Sequence, residues 1–146
     1  MSRKRQTSCR LATLLCCMKI TLILYWIARL VAAIIMLQTL YFKFTGAEES
    51  VYIFTKMGIE PWGRIGTGVA ELLASILILL PATAWVGAVL ALGLMLGAIG
   101  SHLFVLGIEV QQDGGQLFIY AVIVAVSSLY VLFWNRDKVK HLVKNL

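Results

Sequence analysis

A chain of 146 residues that is 60% hydrophobic and 14% charged, with a mean hydropathy of +0.88, lacks the polar surface of a soluble domain, where about a quarter of residues are charged. This excludes an ordinary cytosolic enzyme, a disordered tail and a nucleic-acid module. The net charge of +6 divides into +5 within residues 1–19, +3 within 135–146 and −2 between them, and basic ends around an apolar middle indicate a small multi-span protein whose partner is the lipid bilayer.

Residues 1–19 read as a basic cytoplasmic leader, 20–134 as a membrane domain and 135–146 as a basic cytoplasmic tail. The leader resembles the start of a secretory signal, but its apolar run Leu11–Met18 is interrupted by Lys19 and no small-residue cleavage site follows. It is read as retained, at most as an interfacial turn. Cys9, Cys16 and Cys17 all fall here, with no Cys-x-x-Cys anywhere in the chain. In a reducing compartment they are expected as thiols, not as a disulfide.

A spanning helix needs about 20 mostly apolar residues. The first such stretch runs from Ile20 to Phe42 and contains Arg29. The loop after it carries Thr45-Gly46-Ala47-Glu48, which has capping-box spacing, then Val51, Tyr52, Phe54 and Met57 interleaved with polar residues, and Gly58 as a helix stop. This predicts a short amphipathic helix at the outer interface. The second span runs from Ile65 to Leu80 and is extendable through Trp62–Arg64. The third runs from Ala84 to Leu106, and the fourth from Gln116 to Trp134. The runs are too long for strands and show no period of two, so the expected fold is all-α, an integral membrane four-helix bundle with a short outer interfacial helix between the first two spans. Two basic ends place both termini inside.

Ionisable residues at membrane depth cost at least a few kcal/mol each and point to function or to docking. Counting about 1.5 Å per residue from Lys19 sets Arg29 about 15 Å above the inner boundary. Counting from Leu80 sets Glu71 at about 14 Å. The two are therefore expected to form an intramembrane ion pair, serving either to dock two helices or as a working site. The same count puts Gln38, His102 and Gln116 near the outer interface, where Lys43 joins them in a polar outer layer. Glu71 and His102 are the candidate catalytic groups, each weighed against a purely structural role. No metal site is expected, and His141, the only other histidine, lies in the tail, so a bis-histidine haem is improbable. Gly66-x-x-x-Ala70-x-x-x-Ala74 and Gly93-x-x-x-Gly97 are small-residue faces that predict close helix contacts. Gly63-x-x-Gly66-x-Gly68 has no strand before it and is not a nucleotide loop.

Arg29-Leu30, Lys43-Phe44, Phe54-x-x-x-Gly58-x-x-Pro61, Gly68-x-x-Glu71-x-x-x-Ser75, Ser101-His102-Leu103-Phe104 and Asp113-Gly114-Gly115 together resemble the DoxX family of small four-helix membrane proteins. The match covers about Arg29 to Trp134; the family often has glycine where Ser75 stands. The resemblance implies a bacterial inner-membrane protein. One branch of the family serves as a membrane subunit of thiosulfate:quinone oxidoreductase, another joins redox-stress assemblies, and many members have no assigned activity. It thus implies a non-autonomous subunit of a quinone-linked or redox-related complex, with quinone as the implied cofactor and another membrane or redox protein as partner. Whether it is an enzyme stays open: the chain carries no intrinsic cofactor motif. A non-catalytic accessory subunit is the competing reading, and a small-solute carrier the third.

Overall fold

The computed structural model describes residues 3–138, with side chains for residues 18–138. Helix α1 (Arg3–Thr45) is followed by α2 (Glu48–Lys56), α3 (Trp62–Leu79) and α4 (Ala84–Ser101). The last of these continues through a π-helical turn, His102–Leu106, before the loop that leads to α5 (Gln116–Trp134). Among the described residues four stretches are long and apolar enough to cross a membrane: Met18–Thr45, Trp62–Leu79, Ala84–Leu106 and Gln116–Trp134. The chain is an all-α membrane bundle. In helices every backbone N–H finds a carbonyl within its own segment, which hydrocarbon requires.

The basic leader is not a separate turn. Its backbone runs unbroken into the first span as part of α1, because nothing between Arg3 and Thr45 is a glycine or proline. The cysteine side chains lie outside the described residues, as does the tail beyond Lys138.

The helices form a ring in which α1 touches α3, α3 touches α4, α4 touches α5, and α5 closes back on α1. The axis is lined with small side chains: Ala32, Ala33, Ala74, Ala84, Ala88, Ala91 and Ala121, filled out by Met36, Ile78, Val124 and Val131. Leu22, Ile34, Leu73, Val89, Leu96, Ile119 and Val126 face outward. Between helices in lipid the attraction is contact packing, which small residues strengthen by letting backbones approach. The tightest approach is at Gly87, where an added Cβ would strike the backbone of Leu77 and Ile78.

The small-residue faces expected from sequence are only partly such contacts. Ala74 is fully buried and Ala70 half-buried. Gly66, Gly93 and Gly97 are exposed with nothing within 4 Å of an added Cβ. The ring turns those faces away from neighbouring backbones, and spacing alone does not say which way a face points.

Helix α2 lies across one end of the bundle, with Phe54 and Ser50 buried. Glycines at positive φ join it to both neighbours, Gly46 at 67° and Gly58 at 73°, a conformation open to glycine without steric cost. The expected capping box does not form. Thr45 Oγ1 donates instead to the Tyr41 carbonyl at 2.8 Å, because α1 extends as far as Thr45 and turns that side chain back on its own helix. Ala47 takes the N-cap position with no side-chain bond.

Candidate functional site

Arg29 and Glu71 do not meet. Arg29 is fully buried, at the end of the bundle away from α2. Its Nε donates to the Ile78 carbonyl at 2.7 Å and its Nη2 to the Leu79 carbonyl at 2.5 Å. Those carbonyls belong to the last turn of α3, where no intrahelical N–H remains and where the helix dipole favours a cation. The guanidinium lies 4.0 Å from the Trp26 ring centroid and 5.1 Å from that of Tyr25. Tyr25 stacks on Trp134 and its hydroxyl accepts from Asn135 Nδ2 at 3.0 Å. One planar cation thus stands in for the missing donors and ties α1 to the end of α3, while Tyr25 beside it carries the contact on to α5.

The depth count failed because it took Lys19 and Leu80 to lie at one level. Arg29 bonds the carbonyls of Ile78 and Leu79, so the end of α3 sits ten residues along α1 from Lys19, about 15 Å. Glu71 accordingly stands opposite Thr39, ten positions along α1 from Arg29.

Glu71 is buried, and its partner is Lys43. The Lys43 Nζ lies 2.8 Å from both carboxylate oxygens, while Thr39 Oγ1 donates to Oε2 at 3.3 Å. Ser75 Oγ donates to the Glu71 carbonyl at 2.7 Å, giving the small polar residue one turn further on a local role. Behind Lys43, Arg64 donates through Nη1 to the Lys43 carbonyl and through Nε to Glu60 at 2.8 Å. Sequence reasoning placed Lys43 with the outer layer but did not join it to Glu71. The signal was available in the reach of lysine, whose apolar stem carries its ammonium about a helical turn away from its Cα.

The ion pair forms part of the wall of a cavity of about 660 Å³ in the half of the bundle that α2 adjoins. All four helices of the ring contribute, and α2 covers it with Ser50, Ile53, Phe54 and Met57. The structure brings Gln38, Lys43, His102 and Gln116 around this one space, together with Glu49, Asp113 and Tyr120. Ile35, Met36, Leu94, Met95, Leu117 and Val124 make the remainder apolar. Gln116 Nε2 donates to the Tyr120 hydroxyl at 2.5 Å. Arg29 has no place in the lining.

His102 is buried at the start of the π-helical turn, edge-on to Phe118. Such turns insert a residue into the helix and recur at functional sites; here the Gly107 N–H reaches back to the His102 carbonyl at 2.8 Å. The loop after it is held by Asp113, which the sequence reading used only as part of the family pattern. Its carboxylate accepts from the N–H groups of Val110, Gly115 and Leu117 at 2.8, 2.9 and 3.1 Å. Partial burial raises the pKa of this carboxyl, but those three donors and the neighbouring His102 outweigh it and hold it below the ordinary value. Among the described residues no group of three His, Cys, Asp or Glu side chains is placed to hold a metal.

Residues 27–131 match the DoxX-like family. The chain belongs to that family. The matched segment holds every residue of the cavity wall, and it leaves out the basic leader and tail. No curated protein and no solved structure matches the chain.

Proposed function

We propose that this DoxX-like chain is a non-autonomous membrane subunit of a quinone-linked redox complex, and that the outer-half cavity receives the quinone head group. The observation that carries the reading is the cavity itself, about 660 Å³, apolar over most of its wall and edged by a buried Lys43–Glu71 pair and His102. An amphipathic ring with two polar oxygens fits such a site: pockets for small molecules are mostly apolar with a few convergent polar groups. Lys43 would donate to an oxygen of the head group, Glu71 and His102 would accept from it, and Ile35, Met95 and Leu117 would flank the ring. A bound quinone would supply two-electron, two-proton chemistry that none of the side chains around the cavity can supply. The electron source then lies in a partner subunit.

The reading includes a bacterial cytoplasmic membrane and both termini in the cytoplasm. Tyr25 of α1 meets Trp134 and Asn135 of α5 at one end of the bundle, so the two basic segments adjoin the same end, and Lys/Arg-rich flanks stay inside.

The test is purification from native membranes in mild detergent, with mass spectrometry of co-purifying quinones and proteins. Quinone together with a redox protein is the expected result. A redox partner without quinone would favour the accessory reading, in which Arg29 and the Lys43–Glu71 pair serve only to fasten the helices. Neither component would refute both.

A further inference from the structure

The two nitrogens of His102 have unequal roles. Nδ1 stands 2.9 Å from the Gly107 carbonyl oxygen. A carbonyl can only accept, so that contact assigns the ring proton to Nδ1. In the neutral ring Nε2 then carries a lone pair and no hydrogen. The residue lines the cavity, and among the described residues no group donates to Nε2. Elsewhere on the wall, Glu71 is likewise an acceptor, already paired with Lys43, and Glu49 adds a second carboxylate. The one cation in the lining, Lys43, has its ammonium against both oxygens of Glu71. His102 Nε2 is thus an acceptor on this wall that no described side chain satisfies, while Ser50 Oγ, buried without a partner among the described residues, is a donor elsewhere in the lining.

Resting on the quinone reading of the cavity, we propose that His102 is a specificity-determining residue that makes the site select the reduced, hydroxyl-bearing form of the head group. A phenolic O–H of a hydroquinone donates to Nε2. The carbonyl of the oxidised form would set lone pair against lone pair at the same place, with no proton between the two acceptors. The edge contact with Phe118 and the bond to Gly107 keep the ring from turning to offer its N–H instead. The chain would therefore hold the product of quinone reduction, or the substrate of quinol oxidation, more tightly than its oxidised counterpart.

The experiment is calorimetric titration of the full chain in lipid nanodiscs, under argon and at one fixed pH for both probes. The probes are a benzoquinone and its benzoquinol carrying the same short alkyl tail. The quinol is expected to bind about tenfold more tightly, the size of one buried hydrogen bond made rather than left unsatisfied. His102→Leu should weaken the quinol alone and bring the two affinities together. His102→Gln, whose amide can accept or donate, should bind both forms alike, and it serves if the leucine variant does not fold. Equal affinities in the unaltered protein, or a preference that survives in both variants, would overturn the proposal while leaving the quinone reading standing. No binding of either probe would overturn that reading and this proposal with it.

Discussion

Two double-mutant cycles that share Glu71 test the internal logic of the bundle. In the first, Lys43→Met strands a carboxylate that is only 6% exposed, with Thr39 as its one remaining side-chain donor. Breaking a buried pair costs about 3–5 kcal/mol, and the 15% exposure of the Lys43 side chain puts the expectation at the lower end, about 3 kcal/mol. Glu71→Leu should cost less, about 1–2 kcal/mol, because the orphaned ammonium can swing toward the outer interface. The combined variant should recover about 2 kcal/mol relative to the summed single changes. In the second cycle, Arg29→Met removes two charge-assisted bonds to the end of α3, about 3–4 kcal/mol together. Its combination with Glu71→Leu should be additive within about 0.5 kcal/mol, since Glu71 stands ten positions along α1 from Arg29, about 15 Å, and the two share no partner. The assay is SDS-driven unfolding in micelles, followed by far-UV circular dichroism. Coupling above about 1 kcal/mol in the Arg29 cycle, or none in the Lys43 cycle, would refute the assignment of partners.

Further outcomes follow from the same contacts. Gly87→Ala should destabilise the bundle by about 1–3 kcal/mol through overpacking against α3, whereas Gly93→Ala should be neutral or slightly stabilising; the same SDS titration compares them. Asp113→Ala should cost about 1–2 kcal/mol, as loss of a carboxylate cap does. The carboxyl of Asp113 has a folded pKa below its ordinary value, so its contribution is complete above the ordinary carboxylate range and is lost as pH falls through the depressed one. Unfolding midpoints measured between neutral and acid pH should therefore be less acid-sensitive in Asp113→Asn than in the unaltered protein. Reporter fusions after Leu146 should read out in the cytoplasm and one at Asp113 on the outside, and a C-terminus outside would overturn the proposed orientation.

Four spans and an outer amphipathic helix could be read directly, because both rest on local quantities: apolar run length, a Gly58 stop, and a Pro81 break. The register between helices could not. Glu71 and Arg29 seemed level only because Lys19, a charged residue, was taken as the end of the bundle, while α1 in fact runs on below its neighbours. Charges mark where a chain meets water, not where its helices stop touching. The cavity was legible as a layer of polar residues but not as one shared space, since its cover depends on α2 folding across α1, α3 and the π-helical turn. His102 could be picked out as unusual from composition. Its acceptor nitrogen could not, because that is fixed by a backbone carbonyl five residues away in a π-helical turn that no side-chain pattern announces.

The guanidinium at the end of α3 has a consequence for the surrounding lipid. With 18 residues, α3 is about 27 Å long, while the 28-residue apolar stretch of α1 beside it is about 42 Å. A helix that stops short in hydrocarbon normally exposes carbonyls to a medium that cannot solvate them; Arg29 supplies donors there, so the short span does not have to reach the headgroups. The two flanks of the protein thus present different hydrophobic thicknesses to one bilayer. Tilt of the long helix or local thinning beside the short one must take up the difference, at fractions of a kcal/mol per Å. Thick, ordered membranes should be poor hosts for this bundle, and thin ones should let α3 sit without strain.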